Sequence, residues 1–248
     1  MRTQWRRTAA GLVLFGVAFG YVEAAVVVYL RTIYNPVQRQ ILPDRPAGEL
    51  FPLLTQEQLR ATAPENFQLA GVEVVREAAT LVMLAAVALC AAGDRRRWLP
   101  AFAVAFGTWD LFYYLFLRLL IDWPASLLTW DVLFLIPVPW AAPVLAPTLV
   151  AVSVVGSGLV ALRKAVRIRP LHWAALTLGC LLILVSFMQD FRNTRAGGLP
   201  HSFAWPLFAV GEFVGLGAFL HAARVRVPRR SFVSQPAGEV AAEDTIGT

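Results

Sequence analysis

Apolar residues run with few interruptions through 8–30, 69–92, 99–121, 132–162, 171–188 and 203–221. A helix needs about 20 such residues to cross the hydrocarbon of a bilayer. The pattern therefore predicts an all-α fold, a polytopic membrane helical bundle of about six transmembrane helices. The first run is longer than the 7–15 residues of a secretory h-region and reads as a retained span.

The fourth run is longer than one crossing requires, and Pro139, Pro143 and Pro147 recur in it every fourth residue. Proline removes a backbone donor, which a membrane helix tolerates where protein or water compensates. This span is expected to be kinked or partly re-entrant. Either a short broken helix precedes a full one, or one long tilted helix carries a kink.

The polar stretches set the domain plan. Residues 1–230 form one transmembrane domain, with 31–68 as an outer loop in which FPLLTQEQL makes a short amphipathic helix. Residues 231–248 are polar and mildly acidic and read as a disordered cytoplasmic tail. DWPASLLTWD and DFRNTRAGGLPHS connect spans on the loop's side. The basic clusters MRTQWRR, GDRRR, RKAVRIR and RVRVPRR all fall on the other side, so the positive-inside rule puts both termini in the cytoplasm. Trp5, Trp98 and Trp173 would mark the inner interface, and Trp123, Trp130 and Trp205 the outer one.

Composition strengthens the membrane reading. The chain is 58% hydrophobic and 15% charged, with a mean hydropathy of +0.60, whereas soluble domains carry about 25% charge. The net charge of +6 is explained by topology rather than by nucleic acid, because the arginines sit in short clusters between spans. Cys90 and Cys180 lie in apolar runs without a CxxC and read as buried, inert thiols.

Charged residues inside membrane helices are costly and commonly face a bundle interior or a cavity. Asp110 lies near the middle of the third span and Glu212 near the middle of the sixth. Glu23 occupies the outer half of the first, and Asp131 an outer boundary. In VEVVREAATLVML, the fifteen charge-free residues 78–92 cover only about 22 Å, short of the roughly 30 Å core. Counting from Glu73 gives twenty, so Glu73, Arg76 and Glu77 stand at the outer rim. With Thr80 they share one helix face, where Arg76 can pair with Glu73 and leave Glu77 for another partner. Tyr113 and Tyr114 follow Asp110 by one turn. Every one of these acids is central or outer, which points to a polar cavity opening away from the cytoplasm. Gly16 and Gly20 share a side with Glu23, and Gly211 and Gly215 flank Glu212, so close helix approach accompanies the acids.

Other chemistry is sparse. His172 and His221 lie at similar depth, and haem between them is a minor option; otherwise no cofactor is expected. Metal content is left open, since carboxylates alone give no ligand spacing. Ser153, Ser157 and Ser186 lack a base partner for a serine hydrolase. No metalloprotease, P-loop or dinucleotide signature occurs.

GYVEAAVVVYLR, VEVVREAATLVML, FGTWDLFYYLFL and DWPASLLTWDVLFLIPVPW together resemble a group of uncharacterised bacterial multi-pass inner-membrane proteins. The likeness covers roughly residues 11–150. It implies a bacterial inner-membrane protein and carries no activity with it.

The leading expectation is a binding or transport protein with an acidic cavity for a cation or a proton-coupled small polar substrate. Glu23, Asp110 and Glu212 would form its depth, Glu73, Arg76 and Glu77 its mouth, with Tyr113, Tyr114 and Asp131 as further candidates. A second is a membrane enzyme acting on a lipid-linked substrate from the outer side, with phosphate held by Arg76, Arg192 and Arg195. A third is a non-catalytic scaffold subunit, alone as a homo-oligomer or in a membrane complex. The bilayer is a partner in all three, and nucleic acid in none.

Overall fold

The computed structural model describes residues 2–45, 48–164 and 166–224; the tail assigned to 231–248 lies outside them. Six helices are long and apolar enough to cross a membrane. They are α1 (Arg2–Ile41), α3 (Pro64–Ala92), α4 (Arg95–Ile121), α5 (Leu145–Arg163), α6 (Pro170–Met188) and α8 (Trp205–Arg224). Two short helices, α2 (Gln56–Thr62) and α7 (Phe191–Arg195), lie in the connections. Two antiparallel strands, β1 (Trp130–Phe134) and β2 (Trp140–Pro143), complete the fold.

Burial is distributed as a lipid solvent demands. Glu23, Glu77, Thr80 and Asp131 are buried, whereas Leu171 and Phe213 are 79% and 77% exposed. In water the reverse arrangement would be favoured. Cys90 and Cys180 are exposed too, contrary to the buried thiols expected, because each lies on the outer face of an apolar helix.

Helix α4 is the hub and packs against α1, α3 and α5. Helices α6 and α8 pair with each other and reach the rest through α5 and β2. Small residues set the closest approaches. A Cβ placed on Gly16 would sit 2.7 Å from the Thr108 Cβ of α4, and one on Gly20 2.9 Å from the Trp109 carbonyl oxygen. Gly179 of α6 meets the Gly211 backbone of α8 in the same way, at 2.7 Å. The expected glycine faces are thus seams of helix contact.

Two segments differ from the sequence expectation. Helix α1 does not stop near residue 30 but continues to Ile41, across the start of the expected outer loop. Its 40 residues make a rod of about 60 Å, twice the hydrocarbon thickness, so its last turns project past the apolar layer. Only 42–55 connect it to α2, which starts with a capping box between Thr55 and Gln58 and realises the short helix expected in FPLLTQEQL.

The fourth apolar run is neither a kinked helix nor a broken pair. Its first part is the hairpin, with Asp131 opposite Ala142, Val132 opposite Ala141 and a bulge before Phe134. Pro137 and Pro139 occupy the turn, Pro143 ends β2, and α5 is a single helix after it. Pro147 falls at the third position of α5, where the backbone N–H lacks a helical acceptor in any case. The prolines therefore mark where helix is refused, not a face of one. The hairpin seats its strands in protein: Phe134 packs on Trp140 at 5.2 Å between ring centroids, and Phe187 of α6 lies 6.4 Å beyond.

Candidate functional site: a charged cavity at one end of the bundle

Adjacent long helices alternate in direction, so the second half of α1, the first half of α3 and the second half of α4 meet at one end. That end is opposite the Arg95–Arg97 turn. The hairpin follows α4 there and closes the fourth side. Between them lies a cavity of about 520 Å³. Eight of the nine residues singled out by sequence line it: Glu23, Glu73, Arg76, Glu77, Asp110, Tyr113, Tyr114 and Asp131.

The ninth, Glu212, does not. It accepts a hydrogen bond from the Ser153 hydroxyl at 2.9 Å, in the α5–α8 interface. It has the depth of Asp110 but stands on a helix that packs on the far side of α5, so equal depth did not mean a shared site.

The α3 face forms a tight network. Arg76 Nη1 lies 2.6 Å from Glu23 Oε1 on α1, and Nη2 reaches Glu73 Oε1. Arg76 Nε donates to Glu73 Oε2 at 2.9 Å, and Nη1 to the Thr80 hydroxyl at 3.2 Å. That hydroxyl in turn donates to Glu23 at 3.4 Å. One guanidinium therefore holds two carboxylates from two helices, the fork geometry for which arginine is suited. Glu77, left out of this network, accepts the Leu135 N–H, with each carboxylate oxygen 3.0 Å from the nitrogen. It ties α3 to the hairpin and supplies an acceptor to backbone that has left the strand ladder.

On the opposite wall the Tyr114 hydroxyl donates to Asp131 Oδ2 at 2.9 Å, and Asp131 Oδ1 accepts the Val132 N–H at 2.8 Å. Asp131 lies outside the six long helices and is 3% exposed. Burial pushes its carboxyl up to about 6, against the opposing pull of the Tyr114 hydrogen bond and the Arg31 charge. Asp110, half-buried on α4, lines the cavity with a carboxylate that has no hydrogen-bond partner among the described residues.

The sequence reading missed the continuation of the Glu23 face along α1. Glu23, Val27, Arg31, Tyr34 and Gln38 recur every three or four residues and all line the cavity. The signal was legible: the face of Glu23 continues through residue 38 once the helix is not stopped at the end of the apolar run. Tyr34 donates to the Asn66 carbonyl at 2.9 Å and so fastens the projecting part of α1 to α3.

Other candidates fall elsewhere. Arg192 and Arg195 are on α7, outside the cavity, and Arg76 is engaged by its carboxylates, so the expected phosphate trio does not assemble. His172 Nε2 and His221 Nδ1 are 3.0 Å apart and share a hydrogen bond between α6 and α8. No group of three or more His, Cys, Asp or Glu suited to a metal ion occurs among the described residues.

The fold and the cavity define a multi-pass membrane protein with charged side chains gathered at one end of its bundle. No family model, no curated protein and no solved structure matches the chain.

Proposed function

We propose that the chain is a binding or transport protein of a bacterial inner membrane, with both termini cytoplasmic. Its charged cavity opens to the outer side and takes a cation or a proton-coupled small polar substrate. The observation that carries this reading is the gathering of Glu23, Glu73, Arg76, Glu77, Asp110 and Asp131 from four elements around one cavity. Ionisable groups are placed at membrane depth at a cost that function commonly explains. The cavity lies at the end away from Arg95–Arg97, and the positive-inside rule makes that end the outer one. The network through Arg76 and the Glu77 anchor shape the wall. Asp110 is the acid left free to meet a ligand.

The test is a thermal-shift screen of the purified full chain against small organic cations, metal cations and amino acids, followed by uptake into proteoliposomes. At least one compound is expected to stabilise the protein, with the response lost in Asp110→Asn and retained in Glu212→Gln. A screen in which nothing binds, or in which Asp110→Asn responds like wild type, removes the reading.

A further inference from the structure

The α1 wall of the cavity holds an arginine in circumstances unlike those of Arg76. Arg31 lies over the Trp123 ring, its guanidinium carbon 4.2 Å from the centroid. Its Nε is buried with no hydrogen-bond partner, and no salt bridge within 4.0 Å reaches it among the described residues. Asp131 is close enough for its charge to act on Arg31, yet its oxygens are engaged by Tyr114 and Val132. Arg45, just past the end of α1, lines the same cavity and donates to the Leu50 carbonyl at 3.2 Å. Burial and the charge of Arg31 hold Arg45 below the usual arginine range, against the opposing pull of Glu49, which lines the same cavity. On its other side Arg31 lines a second cavity of about 440 Å³ with Asp122 and Trp123.

Two partly desolvated guanidiniums facing one cavity repel each other, and an unsatisfied buried N–H adds to the cost. An oxyanion between them would accept from the terminal guanidinium nitrogens of both and offset their repulsion, and phosphate has the charge and the oxygen geometry to do so. Trp123 fixes the plane of the Arg31 fork, so little order need be gained on binding.

We propose that Arg31 and Arg45 form the anion subsite of the cavity and hold a phosphate group of its ligand, while Asp110 faces a cationic or hydrogen-bond-donating part of the same ligand. This assignment rests on the reading that the cavity binds a ligand. The phosphate belongs either to a soluble molecule or to a lipid headgroup entering from the outer leaflet.

The full-length protein in an uncharged maltoside detergent, free of phospholipid, is titrated with inorganic phosphate and separately with dihexanoyl phosphatidic acid. Calorimetry and unfolding midpoint are the readouts. Binding of at least one probe is expected, weakened about tenfold or more in Arg31→Gln, as for loss of a hydrogen bond to a charged group. Arg45→Gln weakens it as well, and Arg118→Gln, outside the cavity, leaves it unchanged. Binding of both probes assigns a soluble phosphate; binding of phosphatidic acid alone assigns a lipid headgroup. If neither probe binds folded wild type, the assignment is overturned. Should Arg31→Gln fail to fold, Arg31→Lys and Arg45→Gln decide, and wild-type affinity in both overturns it. A cation response that depends on Asp110 without phosphate binding sinks the anion subsite alone. Phosphate binding at Arg31 without that response sinks the cation reading alone.

Discussion

Glu77 and Asp131 use the same functional group to different ends. Glu77 answers a backbone N–H at the hairpin with both of its carboxylate oxygens. Glu77→Ala is expected to lower stability by about 1–3 kcal/mol, the cost of an unpaired buried donor, seen as a lower unfolding midpoint in detergent. Arg76→Ala is expected to cost about 3 kcal/mol or more, because it strands Glu23 and Glu73 together; Arg76→Lys should recover part of this.

Asp131 makes folding depend on pH. Its folded carboxyl titrates near 6, above the ordinary 3.8, so the folded protein holds that proton more tightly than the unfolded chain does. The resulting stability is present below about pH 4 and is lost as pH rises through 6. Wild type should thus lose stability relative to Asp131→Asn between pH 4 and pH 6 and change little relative to it above. Unfolding midpoints of both proteins across that range check the sign.

Among the elements, legibility depended on what ends a helix. The hydropathy of residues 69–92 and 99–121 located α3 and α4 within a few residues, since apolar length and lipid thickness set the same limits. Helix α1 outran its apolar run because its last turns answer to protein contacts, such as Tyr34 with Asn66, and not to lipid. Arg31 was lost with those turns. The hairpin was hidden because it is almost uniformly apolar. A strand buried on both faces shows no alternation to tell it from a helix segment. Its prolines were visible, but their spacing was compatible with a kinked helix as well as with a turn. Eight cavity residues were found through depth and helical spacing; Glu212 shared the depth and lacked the neighbours. At this scale the α1–α4 seam is directly testable. Gly16→Val should disrupt the bundle, as its Cβ would lie 2.7 Å from Thr108, whereas Gly71→Ala, with open space around it, should be neutral or slightly stabilising. Folded yield and midpoint after purification compare the two.

For the whole molecule, the separation of exposed apolar side chains from buried charges makes sense only with lipid around the helices. Cys180, in the middle of α6 and exposed, offers a check. A charged maleimide should leave it unlabelled in membranes and modify it after unfolding in dodecyl sulfate. Labelling in intact membranes would mean that this face of α6 meets water. The plan of the bundle also separates tasks. Helices α1, α3 and α4 with the hairpin carry the cavity, and the α6–α8 pair buttresses the hairpin through β2.

The link between Glu77 and Leu135 has a consequence for biogenesis. The two residues are 58 positions apart, and Glu23 must wait 53 positions for Arg76. During synthesis from the N-terminus, each carboxylate enters the bilayer before its partner has left the ribosome. Both must be sheltered meanwhile, by protonation or by the insertion machinery. A nascent chain halted after α4 would hold the Glu77 carboxylate without the Leu135 N–H that donates to it, and should be recognised and degraded faster than one halted after β2. A chain extended through the hairpin is the first in which Glu77 has its partner.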